Sequence, residues 1–365
     1  MGYTKREMYI QFLTRIYCEI PSVVLANFSK LKNLQAPKFS DFRTFFRASL
    51  ERMFLTPADT FDNVKGQFPI GFFIWNTNKK EEFKYIEADI YDKNENFIGE
   101  KHIWAYDKVK LINDWVKTYR FTKSESIATI IGVGSDFQNQ RLVRFGEPFM
   151  KVPASNHNWQ TTKDNLIETS IYYTVRHIVE ANWLNDRDQF LYPNDNWKTD
   201  LEFQNNCLAH TLFSNNISSS FGTNHWIPFT EQEVNAKEKF ASNFMTSFIN
   251  GKLKIEQQTE HSLFDSTIVS GVYNNKPRQF SEEATAVFDA GRELWSYYHN
   301  KPNVNINASL YDIKAYFQGR NDKGRINSRS DDEKYMELLH ELRSKLNALT
   351  DQIKPKIYAY EFLKE

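Results

Sequence analysis

The sequence predicts a mixed α/β fold in three parts: part of a doubly wound sheet, a β-rich extension, and a mainly helical C-terminal domain. Three observations predict it. Helical and strand-like apolar patterns alternate over residues 1–78, apolar runs separated by turns fill residues 79–150, and helical periodicity dominates residues 151–365. Alternation of helices and strands is typical of a doubly wound sheet. We therefore expect domain limits near residues 78 and 150.

The elements of the first part follow from the spacing of apolar residues. Residues 5–19 carry them at helical spacing, which predicts an amphipathic helix that ends at Pro21. An apolar strand is expected over residues 22–28, followed by a second helix over residues 41–52. Two further strands are expected over residues 53–58 and 68–76. About ten residues separate these two strands, too few for a helical crossover, so they should be antiparallel neighbours.

The remaining elements divide near residue 150. Alternating or apolar runs predict strands over residues 84–92, 97–106 and 126–135. Residues 257–278 are expected to form a polar connection. Leucines three and four residues apart in the last helix predict a seam that packs on another helix of the chain. The expected helices of the third part span residues 165–182, 200–213, 231–249, 282–299 and 331–353.

Composition excludes several classes of protein. The chain has 365 residues, of which 41% are hydrophobic, enough to build a core, and its formal net charge is zero. The overall charge therefore demands neither nucleic acid nor a membrane, although residues 30–65 are modestly basic. No apolar run approaches membrane-spanning length, and Cys18 and Cys207 lack the spacing of a metal or redox motif. We expect a soluble cytoplasmic protein without a membrane partner.

Several motifs offer chemistry, and each has a structural alternative. The glycines of residues 132–137 (GVGSDF) favour an ordinary turn over a phosphate loop, and the eight histidines show no metal-binding spacing. The acids of residues 186–202 favour an ordered loop and a helix start. A different pattern occurs in residues 319–329, where cations sit among Gly, Asn and Ser and could either meet phosphates or form a solvated loop. These cations are Arg320, Lys323, Arg325 and Arg329.

Residues 60–75 (TFDNVKGQFPIGFFIW) combine an aromatic ring, a basic turn and an apolar strand. One interpretation is a core strand with an ordinary loop before it. The other is a binding site in which Phe61, Lys65 and Gln67 meet a flat ligand at the edge of a strand.

Four stretches in the first 78 residues carry a family resemblance: EMYIQFLTRIY, SVVLANF, FRTFF and FLTPADTFDNVKGQFPIGFFIW. Their order and spacing resemble the C-terminal half of the catalytic domain of bacterial adenine-N6 DNA methyltransferases of restriction-modification systems. The resemblance implies a Rossmann-like sheet of which this chain keeps the fifth, sixth and seventh strands. The downstream stretches WLNDRDQFLYPNDNWKTDLEFQN, GTNHWIPFTEQEV and SLYDIKAYFQGRNDKGR are similar to a C-terminal extension of some such proteins, which implies no defined activity.

The resemblance also implies roles for residues. Enzymes that modify a base extrude it from the duplex and hold it against an aromatic face. Phe61 matches the family's Phe that stacks on the extruded adenine, and Lys65 and Gln67 would be nearby DNA contacts. The structural alternative is that Phe61 simply fills the edge of the sheet.

The family's cofactor and catalytic motifs are missing from the sequence. Methyl transfer from S-adenosylmethionine needs a Gly-containing first turn, and it needs an (Asn/Asp/Ser)-Pro-Pro-(Tyr/Phe) segment to bind the adenine amino group. The chain contains no Pro-Pro pair. We therefore expect no catalytic residue here and no S-adenosylmethionine bound by this chain alone; the cofactor would belong to the complete enzyme. The expected partners are DNA and a missing N-terminal half or partner subunit.

Two alternatives to this interpretation stay open. The first is a helical DNA-recognition or subunit-docking protein without catalysis. The second is an unrelated enzyme whose pocket lies among the acids of residues 186–202, for which loss of activity on Asp195→Ala would be the sign.

Overall fold

The computed structural model describes most of the chain, namely residues 7–20, 22–120, 123–153, 157–214, 223–262, 265–272 and 276–364. The buried apolar side chains form two clusters, one between Ile10 and Ile103 and the other between Ile112 and Leu363. We call the parts around them the sheet unit and the helical unit. The domain limits near residues 78 and 150 stay predictions.

The sheet unit is a five-stranded mixed sheet with helices packed on one face, so the chain is a mixed α/β protein. The strand order is β1-β3-β2-β4-β5; β2 and β4 are parallel, and the other neighbours are antiparallel. The elements are α1 (Met8–Glu19), β1 (Val24–Lys30), α2 (Lys32–Gln35), α3 (Ser40–Phe45), β2 (Ala48–Pro57), β3 (Pro69–Lys80), β4 (Tyr85–Tyr91) and β5 (Phe97–Trp104).

The strands β1 and β2 run in the same direction, because each is antiparallel to β3. The helices α2 and α3 connect them, which makes a strand–helix–strand crossover with β3 inserted between its two strands. The prediction that the strands flanking residues 58–68 are antiparallel neighbours is confirmed. A fully parallel, doubly wound sheet is absent from the described residues, since three of the four neighbouring strand pairs are antiparallel.

The first predicted helix is found as α1; Lys5 and Pro21, near its predicted limits, lie outside the described residues. The helix predicted over residues 41–52 is wrong in its second half. It ends at Phe45, and the backbone from Ala48 onwards pairs with β3 instead. Sheet pairing, a tertiary interaction, outweighs the local helical periodicity of these residues.

A buried arginine fastens the helices of the sheet unit. Arg43 on α3 is 2% exposed and donates hydrogen bonds from Nε and Nη2 to the Asp107 carboxylate, which follows β5. The same guanidinium also donates to the carbonyl oxygens of Asn33 and Ala36 at α2. One side chain thus joins α3, α2 and the segment after the sheet.

The helical unit combines helices with a three-stranded antiparallel sheet of order β7-β6-β8 and a hairpin. Its long helices pack together: α10 lies on α8 and α6, and α6 on α5. The elements are α4 (Ile112–Val116), β6 (Ser126–Gly132), β7 (Arg144–Gly146), β8 (His157–Thr162), α5 (Leu166–Ile178), α6 (Leu201–Ser214), α7 (Phe244–Ile249), β9 (Lys254–Ser262), β10 (Asp265–Val272), α8 (Glu282–His299), α9 (Leu310–Gln318) and α10 (Glu333–Ala359).

Two expectations for the helical unit fail. The helix predicted over residues 231–249 is present only as α7, because side chains take the backbone donors that a helix would use. The Glu231 carboxylate accepts from the backbone N–H of Phe240, and Asn235 has a left-handed backbone with φ of 54°. The expected polar connection over residues 257–278 contains most of the hairpin β9–β10. The predicted apolar seam of the last helix is confirmed, since α10 packs on α8 within the chain.

The two units meet through the loop after α5. Gln35 of the sheet unit donates to Asp188 Oδ1 at 2.9 Å, and Lys101 Nζ lies 2.6 Å from Asp188 Oδ2. The side chains of Trp183 and Leu184 pack against the apolar cluster of the sheet unit. Within the parts of the chain that the structure describes, no helix has both the length and the hydrophobicity needed to cross a membrane.

Replacing Arg43 with Gln should lower the free energy of unfolding by about 3 to 5 kcal/mol, since it leaves the Asp107 carboxylate and two carbonyl oxygens without their charged donor. Urea denaturation followed by circular dichroism measures this. Arg15→Gln is the control, because Arg15 pairs with Glu19 on an exposed helix surface and should change little. Equal effects of the two substitutions would contradict the role given to Arg43.

Two buried histidines should make the helical unit sensitive to acid. Burial lowers the pKa of His177 to about 4 and that of His210 to about 3. An unfolded histidine has a pKa near 6.5, so the unfolded chain binds more protons below that pH. The contribution of these histidines to the free energy of unfolding is therefore fully present above pH 6.5. As the pH falls from 6.5 towards 4, each histidine lowers the free energy of unfolding by about 1.4 kcal/mol per pH unit.

To isolate this effect, the free energy of unfolding of the wild type is compared with that of a His177→Gln/His210→Gln variant. Urea denaturation at pH 7 and pH 5 measures it. Burial raises the pKa of the carboxyl groups of Asp136 and Glu168, which acts in the opposite direction and is common to both proteins. The wild type should lose more stability than the variant. The same loss in both would show that these histidines are not the cause.

Candidate nucleic-acid interface

The loop of residues 58–68 lies beyond the carboxyl ends of two strands that run in the same direction. Pro57, the last residue of β2, pairs with Pro69 at the start of β3, and Lys30, the last residue of β1, pairs with the neighbouring Ile70. The carboxyl ends of β1 and β2 therefore lie on the same side of the sheet as this loop. In open α/β sheets, ligands bind in the crevice at the carboxyl ends of the strands. The loop that contains Phe61, Lys65 and Gln67 therefore lies at the sheet edge where a ligand site is expected.

Short-range hydrogen bonds hold the loop closed. The backbone N–H of Ala58 donates to the carbonyl of Phe68 at 2.9 Å, and that of Phe61 donates to the carbonyl of Ala58 at 3.1 Å. The hydroxyls of Thr56 and Thr60 are 2.9 Å apart. The Phe61 side chain thus extends from a turn whose backbone is fixed on both sides.

Phe61 is the end of a row of aromatic rings on the sheet face opposite the helices. Its ring meets Phe28 edge-to-face, with 5.3 Å between centroids and an interplanar angle of 75°. The row continues from Phe28 to Phe72 at 4.8 Å, and from Phe72 to Phe54 at 5.1 Å. Phe61 is half-buried and Phe28 is 49% exposed. The row orients the Phe61 ring and leaves part of its surface accessible.

The loop and the end of β1 also carry positive charge and one unpaired acceptor. Lys65 is exposed, and Lys30 Nζ lies 4.6 Å above the centroid of the Phe68 ring. Gln67 Nε2 donates to Asp59 Oδ2 at 3.3 Å, so Gln67 is engaged within the loop. The other carboxylate oxygen of Asp59, Oδ1, is buried without a hydrogen-bond partner in the described part of the chain. A buried acceptor of this kind calls for a donor.

Asp59 was missed by the sequence analysis. An acid between Ala and Thr in a polar loop carries no signal by itself, and its unpaired oxygen appears only when the loop is folded.

The second predicted group of residues lies in a tight turn between α9 and α10. The guanidinium of Arg320 donates to the carbonyl of Gly324 at 2.8 Å and to the hydroxyl of Tyr311 at 3.2 Å. Arg320 and Ile326 form an isolated antiparallel bridge that closes the turn. Lys323, Arg325 and Arg329 are exposed, so the turn presents three positive side chains to solvent.

Each predicted group of residues lies within one loop or turn, and the two groups belong to different units. Phe61, Lys65 and Gln67 belong to the sheet unit, whereas the basic turn at Arg320 belongs to the helical unit. The roles of both groups in DNA binding stay predictions.

The acids of residues 186–202 have structural partners. Asp200 accepts from Lys356 Nζ at 2.6 Å, from the Tyr360 hydroxyl and from the backbone N–H of Phe203, so it links the start of α6 to α10. Asp195 pairs with Lys198 at 2.7 Å. These contacts account for much of the acidic character of the stretch.

The GVGSDF stretch forms the end of β6 and the turn after it. Nη2 of the buried Arg176 donates to the carbonyl oxygens of Gly134 and Asp136. An arginine therefore fixes this turn. Over the described residues, no three or more His, Cys, Asp and Glu side chains form a group able to hold a metal ion.

Comparisons with protein-family models, with curated proteins and with solved structures give no match to this chain.

Proposed function

We propose that this chain is the DNA- and target-base-binding portion of an adenine-N6 DNA methyltransferase. The observation that carries the proposal is the half-buried Phe61 ring in the loop at the carboxyl ends of β1 and β2, a loop that also contains the exposed Lys65. In this proposal β1, β3 and β2 are the remnant of a doubly wound sheet.

The connection between β1 and β2 supports the proposal that these strands are the remnant of a doubly wound sheet. The two strands run in the same direction and are joined through α2 and α3, the connection from which doubly wound sheets are built. The inserted antiparallel strand β3 is explained by the short loop before it, since residues 58–68 are too few for a crossover helix.

The chemistry of the loop fits an extruded adenine. The accessible surface of the Phe61 ring stacks on the flat base, while the edge-to-face contact with Phe28 holds the ring in place. Lys65 and Lys30 contribute positive charge towards the phosphates that flank the base.

Catalysis requires groups from outside this chain, because the sequence has no Pro-Pro segment to hold the adenine amino group. The chain alone is therefore expected to bind no S-adenosylmethionine and to transfer no methyl group. Methyl transfer to adenine by the purified chain would overturn this part of the proposal.

A second function, docking of a partner subunit, is favoured by the edge strand β1. Among the described strands, β1 ends the order of the sheet, and its residues Val24 and Phe28 are 58% and 49% exposed. An unpaired strand edge beside apolar side chains accepts a further strand from another protein. The two surfaces share Phe28, which also contacts the Phe61 ring.

Replacing Phe61 with Ala should weaken binding of a single-stranded oligoadenylate DNA by about 5- to 150-fold, since a base-stacking ring contributes about 1 to 3 kcal/mol. Fluorescence anisotropy at low salt measures the affinity. Phe97→Ala is the control, because Phe97 is an exposed ring on the far strand β5, outside the loop of residues 58–68. Equal losses in the two variants would remove Phe61 from the binding site.

Salt dependence separates phosphate contact from docking on a protein. The affinity for the same oligonucleotide should fall steeply with salt, and Lys65→Ala should reduce the slope of log affinity against log salt by about 0.7. Lys79→Ala is the control, because Lys79 pairs with Glu51 at 2.7 Å near the other end of β3. An unchanged slope for Lys65→Ala would exclude a phosphate contact at this residue.

A further inference from the structure

A cavity of about 950 Å³ opens in the helical unit, away from the loop that contains Phe61. It lies between the start of α6, the end of α7 and the segment that leads into α8. The side chains that matter for its chemistry are those of Lys163, Asn205, Phe248, Lys276 and Arg278.

Arg278 is held in the wall of this cavity by three interactions. Its guanidinium carbon lies 4.3 Å from the centroid of the Phe248 ring, and Nη1 donates to Asn205 Oδ1 at 2.9 Å. Its backbone N–H donates to the carbonyl of Ile249 at 2.9 Å. Asn205 is itself fixed, because its Nδ2 donates to the carbonyl of Gln279 at 2.7 Å. The arginine is therefore oriented before any ligand arrives.

The charge of Arg278 is poorly compensated. Its Nε is buried without a hydrogen-bond partner in the described chain. Burial lowers the pKa of Arg278 to about 10, so the side chain is still charged at neutral pH. Glu168 is the carboxylate whose charge acts on it, but burial raises the pKa of Glu168, which disfavours its ionised form. A desolvated cation of this kind gains from an anionic partner.

The charged side chains of the cavity wall together carry an excess of positive charge. Lys163 Nζ pairs with Asp164 at 2.5 Å, and Glu202 lies 3.6 Å from Lys356 Nζ. Both acids of the lining are thus engaged by lysines. The exposed Lys276 and the fixed Arg278 stand two residues apart at the cavity.

We propose that this cavity binds a phosphate group, with Arg278 as the fixed contact and Lys276 as the second cation. A planar guanidinium presents parallel N–H donors that match phosphate oxygens, and stacking on Phe248 keeps that plane in one orientation. Phosphate is favoured over carboxylate because its additional oxygens and charge can engage both cations. The phosphate belongs either to a nucleic-acid backbone or to a small phosphorylated molecule.

Calorimetric titration of the full chain in a phosphate-free buffer tests the site, with inorganic phosphate and a single-stranded oligonucleotide as separate probes. Arg278→Gln should weaken binding by about 10- to 100-fold, since hydrogen bonds to charged groups are the strong ones. Lys276→Gln, at an exposed position, should weaken it several-fold. Arg292→Gln is the control and should bind as the wild type does, because Arg292 pairs with Asp289 on the surface of α8.

Each outcome decides the proposal. Weaker binding of both probes by the two cavity variants supports a site for the nucleic-acid backbone, and weaker binding of inorganic phosphate alone supports a site for a small phosphorylated molecule. No saturable binding of either probe to the wild type, or wild-type affinity in both variants, overturns it. If Arg278→Gln does not fold, Lys276→Gln decides. Failure here leaves the proposal for Phe61 intact, because the two sites are in different units.

Discussion

The insertion of β3 between β1 and β2 is the constraint on which the candidate interface depends. Because β3 is antiparallel to both neighbours, β1 and β2 end at the same side of the sheet, and residues 58–68 must turn there. The same register points Phe28, Phe54 and Phe72 away from the helices. A slip by one residue would exchange them with core residues such as Phe73, so the hydrophobic face fixes the position of the loop.

Two polar contacts extend this arrangement to the rest of the chain. The buried guanidinium of Arg43 joins the crossover helices to the segment after β5, which keeps the covered face of the sheet closed. Asp188 accepts from Gln35 and Lys101, which anchors the helical unit at the sheet unit. In the proposals, the base and its flanking phosphates meet the sheet unit, while a separate phosphate site lies in the cavity of the helical unit at Arg278.

The sequence predicts this structure where local constraints dominate and fails where distant residues decide. The antiparallel pair β2 and β3 is predictable from a short connection, and Phe61 and Lys65 share a loop because they are close in the chain. The predicted helix over residues 41–52 loses its second half to pairing with β3, which periodicity cannot reveal. Arg278 meets Asn205 across 73 positions, so its cavity has no signal in the sequence.

The most direct test of the account is a double-mutant cycle between the Phe61 ring and the base. The affinities of the wild type and of Phe61→Ala are measured for an oligoadenylate and for an abasic strand with the same number of phosphates. The substitution should weaken binding of the oligoadenylate and leave binding of the abasic strand unchanged, because the lost contact is with the base. The same fractional loss for both strands would show that Phe61 supports the fold of the loop and does not stack on a base.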